Sequence, residues 1–247
     1  MSNQYNNDYP AHFVEKYQHL PYVLLDIPRI VPDDCFQDLW QQHSVPILRL
    51  KPDERYPYTP AEAQQLHEEN GRLNEYTQAN WQGLTVLDNG KADDRWAYSK
   101  IDGYKLLPRF MEQLHDYLPV YGFSQVLFWS NQRAIGLHRD LNEQHPFPTS
   151  LRIMISDENP KPTFWLQPLP EGARGVGSER LPYIEEQAVY VDTSKTKSNT
   201  FVYNNGHWVH GAKKDPAYSK ILCSISVGRW RWNDYEKLVD RSINPGL

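Results

Sequence analysis

Two cysteines, Cys35 and Cys223, among 247 residues are too few for a disulfide framework or a cysteine-based zinc site. No apolar run approaches the roughly 18 residues that a membrane helix needs, and the mean hydropathy of -0.73 points the same way. The opening stretch MSNQYNNDYPAHF lacks the basic start and apolar centre of a secretory signal. The expectation is therefore an intracellular, cytoplasmic protein with no membrane partner. Basic residues are not in excess either: 26 Lys and Arg stand against 31 Asp and Glu, a net charge of -5. Phosphate binding is driven by clustered Lys and Arg, so this balance argues against a nucleic-acid partner. The pair Lys213-Lys214 reads as a solvated turn. Internal repeats and low-complexity tracts are also missing.

What is present describes a globular chain. A content of 39% hydrophobic and 13% aromatic residues supplies a core, and a chain of this size buries roughly 70–75% of its unfolded surface in one domain. Residues 1–122 read as a mixed helix and strand part. Tyr22 to Ile27 has strand character and closes at Pro28; Asp33-Asp34 opens a helix through His43, acids in its first turn. Pro46 to Leu50 is a further short strand. Thr59 and Pro60 start a polar helix to about Ala79. Residues 103–118 carry apolar positions at helical spacing, with Pro108 in the first turn or at a kink.

From Phe123 the character changes to short β-rich segments: 123–130, 150–156, 163–167, 187–192, 199–204 and 219–228. Turn signals at Asn159-Pro160, Asn204-Asn205-Gly206 and Asp215-Pro216 separate them. The pattern predicts an α+β protein with a jelly-roll-like core at 123–232, buttressed on one sheet by the N-terminal helices, and a C-terminal tail at 233–247. The stretch 171–187 is long for a connection and is a candidate lid.

His138-Arg139-Asp140 is the first chemical motif. Residues two apart in an extended segment point to one side, so His138 and Asp140 converge. The third candidate lies in Asn205-Gly206-His207-Trp208-Val209-His210-Gly211. Two histidines and one carboxylate on one face are the ligand set of non-haem Fe(II) oxygenases. His207 and His210 are three apart, so in a strand only one looks inward. His210 is favoured: a glycine follows it, and ten residues on stands Lys220, whereas ten after His207 stands Ala217.

His138-x-Asp140, then His210 about seventy residues on, then a basic residue ten further, resembles the Fe(II)- and 2-oxoglutarate-dependent dioxygenases. The nearest pattern is that of the prolyl and aspartyl/asparaginyl hydroxylase-like members. The resemblance spans roughly residues 123–230. It implies a double-stranded β-helix of the jelly-roll or cupin type, with Fe(II) on His138, Asp140 and His210. It also implies that 2-oxoglutarate chelates the metal through its keto acid end while Lys220 neutralises its far carboxylate. O2 is then consumed, with release of succinate and CO2 and hydroxylation of a substrate C–H. Related halogenases replace the carboxylate with Gly or Ala, so Asp140 favours hydroxylation; desaturation, cyclisation and epoxidation keep the same ligands.

Strand parity adds support. Lys220, Leu222, Ser224 and Ser226 share one face of the last strand, opposite Ile221, Cys223, Ile225 and Val227. The apolar face fits against helices, and the Lys and Ser face fits a barrel mouth. Arg152 shares a face with Ser150, Met154 and Ser156, an inner position that calls for an anion such as 2-oxoglutarate or a substrate carboxylate. Trp165, Trp208, His145 and Arg133 are pocket candidates. Arg229-Trp230-Arg231-Trp232 has the look of a stacking patch, but equally of a sheet extension. Charge and size favour a small amino-acid-like substrate. The alternatives are a prolyl or aspartyl residue of a peptide, a zinc hydrolase, or a jelly-roll binding module whose metal shell is closed by a fourth ligand such as His207.

Overall fold

The computed structural model describes residues 10–49, 81–88, 96–97, 99–131, 135–139, 150–157, 161–175, 181–194, 196–212 and 220–244. The expected helix from Pro60 to Ala79 lies outside them, as do Arg133, Asp140, His145, Lys213-Lys214 and the turns at Asn159-Pro160 and Asp215-Pro216. The strands are β1 (Tyr22–Leu24), β2 (Val45–Pro46), β3 (Leu48–Arg49), β4 (Trp81–Asp88), β5 (Trp96–Ala97), β6 (Ser99–Lys100) and β7 (Val120–Asn131). They continue with β8 (Ile135–His138), β9 (Ser150–Asp157), β10 (Phe164–Pro168), β11 (Val189–Tyr190), β12 (Thr200–Tyr203), β13 (Trp208–Ala212) and β14 (Lys220–Trp230). The helices are α1 (Ala11–Tyr17), α2 (Phe36–His43), α3 (Gly103–Leu106), α4 (Pro108–Tyr117) and α5 (Trp232–Ile243).

These elements make an α+β protein of mostly antiparallel sheets. The large sheet runs β1-β12-β9-β14-β7-β4-β2, with β6 added in parallel to β4. The small sheet runs β11-β10-β13-β8, and β3 pairs with β5 apart from both. Strands β1, β2, β4 and β6 all come from the first part of the chain, which thus supplies strands to the large sheet as well as the helices beside it.

Alternation along each strand divides the core in two, because successive side chains leave opposite faces. Leu151, Ile153, Val202, Ile221, Cys223 and Ile225 of the large sheet join the helical residues Phe13, Phe36, Phe110, Leu114 and Tyr235 in one cluster. Phe128 sits at its centre, 4.7 Å from the ring of Phe36 and 5.1 Å from that of Phe110. The other face contributes Trp129, Met154, Phe201, Tyr203 and Leu222, which meet Phe164, Leu166 and Ala212 of the small sheet. The rings of Phe164 and Phe201 lie 5.3 Å apart, so the small sheet packs over the large one. The parity expected for the last strand holds for its described contacts: Ile221, Cys223 and Ile225 face the helices, and Leu222 faces the small sheet.

Several boundaries differ from the expectation, each for a local reason. Asp33 and Asp34 do not open α2, which begins at Phe36. The Asp33 carboxylate instead accepts the backbone N–H groups of Arg109 at 3.1 Å and Phe110 at 2.9 Å, capping α4 from outside. Pro108 takes the first turn of α4, and the segment 103–118 breaks at Leu107 into two helices. Strand β1 ends at Leu24 rather than Ile27, and 187–192 contributes only Val189 and Tyr190 after a 3-10 turn at Glu185–Gln187. The supposed tail at 233–247 is corrected to helix α5, which buries Tyr235, Leu238 and Val239. Trp230 ends β14, stacks on Tyr235 at 3.8 Å and is buried, so the Arg229–Trp232 stretch extends the sheet as far as Trp230, while Trp232 begins α5. Among the described residues no helix is long and apolar enough to cross a membrane.

Candidate functional site

The small sheet brings two of the sequence-selected residues together. His138 ends β8 and His210 sits in β13, and the antiparallel register sets them directly opposite. Cross-strand partners share a face, and their ring centroids lie 4.3 Å apart. His138 Nδ1 lies 2.8 Å from the carbonyl oxygen of Gly136. A carbonyl only accepts, so Nδ1 is the donor in this contact, and in the neutral ring that leaves the lone pair on Nε2 for a metal. His210 is buried, stacked on Phe164 at 5.6 Å and packed against Tyr203 at 4.9 Å. Those aromatic walls fix its ring and keep water away.

His207, the competing histidine, is exposed in the turn before β13, where its backbone N–H donates to Asn204 Oδ1 at 3.0 Å. It stands apart from the face that carries His138 and His210. Among the described residues no group of three or more His, Cys, Asp or Glu side chains forms a metal site. Asp140, two residues beyond His138, lies outside those residues.

Two cations connect to His210, Arg152 through Tyr203 and Lys220 through Thr163 and its neighbour Phe164. Arg152 is half-buried on β9, opposite Ser224 and Phe201 in register. It donates to Tyr203 Oη at 2.9 Å and to the Leu151 carbonyl at 3.0 Å, with its guanidinium 5.2 Å from the centre of the Tyr203 ring. Tyr203 thus touches both Arg152 and His210. Lys220, only 1% exposed, starts β14 and donates to Thr163 Oγ1 at 3.1 Å. Thr163 in turn donates to Asp157 Oδ2 at 2.8 Å and precedes Phe164, the residue stacked on His210. Strand β14 lies between β9 and β7, so Lys220 is no sheet-edge residue reaching for solvent. Trp129 donates to Ser224 Oγ at 2.6 Å and lines the same interior. Burial pushes the Cys223 thiol well above its ordinary range, against a smaller opposing effect of Arg152, so it is an inert thiol on the helical face.

Two expectations need correction. Trp165 pairs with Gly211 and Tyr190, one residue out of phase with His210, so it occupies the opposite face of the small sheet. There its ring meets Tyr183 at 5.6 Å. Trp208, two residues before His210, does share the histidine face and is half-buried. The described parts of 171–187 also lie on the far face. Gln167, fully buried, donates to the Pro182 carbonyl at 3.1 Å and accepts from Ile184 N–H at 2.8 Å. Those residues back the sheet rather than cover the histidines.

Arg139, the middle residue of His138-x-Asp140, is heavily engaged. Its Nε donates to the Arg174 carbonyl at 2.8 Å and its Nη1 to the Gly206 carbonyl at 3.0 Å, while its backbone N–H donates to Gly175. The arrangement as a whole is two facing sheets with a histidine pair in their interior and cationic groups nearby. Neither a protein-family model nor a curated protein matches the chain.

Proposed function

We propose that the protein is a non-haem Fe(II)- and 2-oxoglutarate-dependent oxygenase on a double-stranded β-helix, hydroxylating a C–H bond of a small amino-acid-like metabolite. The observation that carries this reading is the cross-strand histidine pair, with the His138 proton placed on Nδ1 by the Gly136 carbonyl. That donor set suits a divalent metal of the Fe or Zn kind. His138 and His210 would hold the metal, with Asp140 as the carboxylate. Bound there, Fe(II) supplies activation of O2, with 2-oxoglutarate as the reductant that leaves as succinate and CO2.

The chain's own residues do the rest. Phe164 and Tyr203 exclude water around His210 and hold its ring in one orientation. Lys220 and Arg152 are the cations that offset a dicarboxylate: Lys220 is oriented by Thr163, and Arg152 by Tyr203. Because both are withdrawn from solvent, an anion between the sheets gains more from them than it would at a surface. Positioning is the protein's share of such a reaction.

The test is an anaerobic visible absorption titration of the Fe(II)-loaded protein with 2-oxoglutarate. A weak charge-transfer band that grows with 2-oxoglutarate and fades on admitting air supports the reading. Bound metal with no such band moves the assignment to a hydrolase or a structural zinc site. His210→Ala is expected to abolish iron binding and His207→Ala to spare it; equal iron occupancy in wild type and His210→Ala overturns the ligand assignment. Lys220→Ala is expected to raise the 2-oxoglutarate requirement steeply, and an unchanged titration passes that role to Arg152.

A further inference from the structure

We propose that Arg139 is a positioning residue for the His138–His210 pair, working from the back of the small sheet by tying two loops to the strand that carries His138. The inference rests on the reading of that pair as metal ligands.

Strand β8 is short and its register is irregular. It is four residues long, and its pairing with β13 registers only His210 with His138 and Ala212 with Ile135, with an irregularity between. A metal site needs its donors fixed to within about half an ångström. The rings of Phe164 and Tyr203 give His210 that precision, but their contacts are with His210. The residue after His138 adds a restraint from outside the strand. Arg139 sends its backbone N–H to Gly175, Nε–H to Arg174 and Nη1–H to Gly206, three carbonyls in two separate loops. The rigid guanidinium fork fixes the angle between the two side-chain bonds, which a flexible ammonium does not do.

The loops so gathered are themselves joined. Leu169 N–H donates to the His207 carbonyl at 3.0 Å. Gly175 adopts a positive φ of 67°, and a Cβ there would stand 2.9 Å from Val209 Cγ1, 3.0 Å from Leu169 Cδ1 and 3.2 Å from Arg139 Cγ. The loop therefore lies flush against both Arg139 and Val209. Arg139 directly follows His138 and Val209 directly precedes His210, so one loop touches the chain neighbours of both histidines. Neighbours along a strand occupy opposite faces, so this contact leaves the histidine face clear. Loop and strand ends make one unit that sets the spacing of the two rings.

The experiment titrates the metal-free full-length protein with Co(II) alone, reading affinity and the visible ligand-field bands, and records the melting temperature of each metal-free variant. Arg139→Met is expected to weaken Co(II) about tenfold or more, in the range found for residues that orient ligands, and to alter the bands while the metal-free protein stays folded. Arg139→Lys is expected to recover only part of the affinity. Wild-type affinity and bands in a folded Arg139→Met overturn the proposal. If Arg139→Met does not fold, Gly175→Ala decides. It keeps every Arg139 donor and displaces the loop, so weakened Co(II) supports the proposal and unchanged binding overturns it. A wild-type protein that takes up no Co(II) instead removes the metal-ligand reading on which the proposal stands.

Discussion

Asn199 offers the most direct test of how the helical layer is fastened to the sheets. Its side chain is 1% exposed and makes three hydrogen bonds. Nδ2 donates to the Ile30 carbonyl at 2.8 Å and the Met154 carbonyl at 2.9 Å, while Oδ1 accepts the Ile30 N–H at 2.9 Å. One side chain thereby joins the segment before α2 to β9 and to the start of β12. These strands carry Arg152 and Tyr203. Asn199→Ala removes all three bonds and leaves two carbonyls and one N–H without that partner, at a buried Ile30. Each bond contributes about 1 kcal/mol net, with a further penalty wherever water cannot enter. The expected loss is therefore about 3 kcal/mol, a large share of the roughly 5–15 kcal/mol a domain possesses. For a chain of this size it lowers Tm by about 6–12 °C. Asn199→Asp is the sharper control. It keeps the acceptor for Ile30 but turns an oxygen toward two carbonyls, so its loss is expected to equal or exceed that of alanine. Denaturant and thermal melts followed by circular dichroism give both numbers. A loss under about 1 kcal/mol for alanine, or an aspartate variant as stable as wild type, refutes the reasoning.

Three further outcomes follow from the same geometry. Phe128→Ala, at a fully buried ring between Phe36 and Phe110, is expected to cost about 3–5 kcal/mol in denaturant melts. Tyr203→Phe removes the acceptor for Arg152 and keeps the ring against His210, so stability is expected to fall by about 1.5 kcal/mol; on the proposed function, the 2-oxoglutarate titration is expected to weaken with the metal stoichiometry unchanged. Lys16 bonds Glu236 at 3.1 Å and Asp240 at 2.7 Å, joining α1 to α5. Hydrogen bonds from His12 and Lys16 lower the Glu236 pKa; Asp240, whose burial works the other way, is still lowered by bonds from Lys16 and Tyr17. Depressed folded values mean that this stability is complete above the ordinary values of 4.5 and 3.8 and is lost as pH falls through the folded ones. Melts between about pH 5 and about pH 3 are expected to show a steeper decline for wild type than for Lys16→Met; parallel curves would falsify the linkage.

Much of this was legible wherever a period met a chemical type. The alternation in 219–228 announced a strand with one face for the helices, and Ile221, Cys223 and Ile225 occupy it. Arg152 on the inner side of 150–156 followed from the same two-residue period, and its bond to Tyr203 lies between the sheets. Helix α5 had a readable signal in Trp232, Tyr235 and Val239 at helical spacing, with Asp234 in its first turn and Arg241 in its last. The aromatic-basic alternation just before it drew attention toward strand. Strand β4 was hidden because Gly83 breaks its apolar alternation; the glycine is there because a Cβ would stand 2.9 Å from Ile47 Cγ1. Asp33 was misplaced for another reason. An acid ahead of an apolar run signals a helix start, but nothing local says which helix it caps, and α4 lies more than seventy residues away.

The candidate site divides along the same line. Histidine spacing, a following glycine and a basic residue ten on are marks made by side-chain type, and they pointed to His138 and His210, which register opposite each other. The far face of the small sheet left no such mark. The hydrogen bonds from Arg139 to Arg174, Gly175 and Gly206 go to their carbonyl oxygens, and every residue type has one. Gln167 likewise meets only backbone groups in these two bonds, donating to the Pro182 carbonyl and accepting the Ile184 N–H. A long connection is thus read as a lid when its length is the only clue, whereas the backbone bonds of its described residues fasten them behind the sheet. The consequence reaches the chemistry. If His138 and His210 hold a metal as proposed, and backbone carbonyls behind the sheet fix their spacing, substitutions in 172–175 are expected to change metal affinity without touching either histidine.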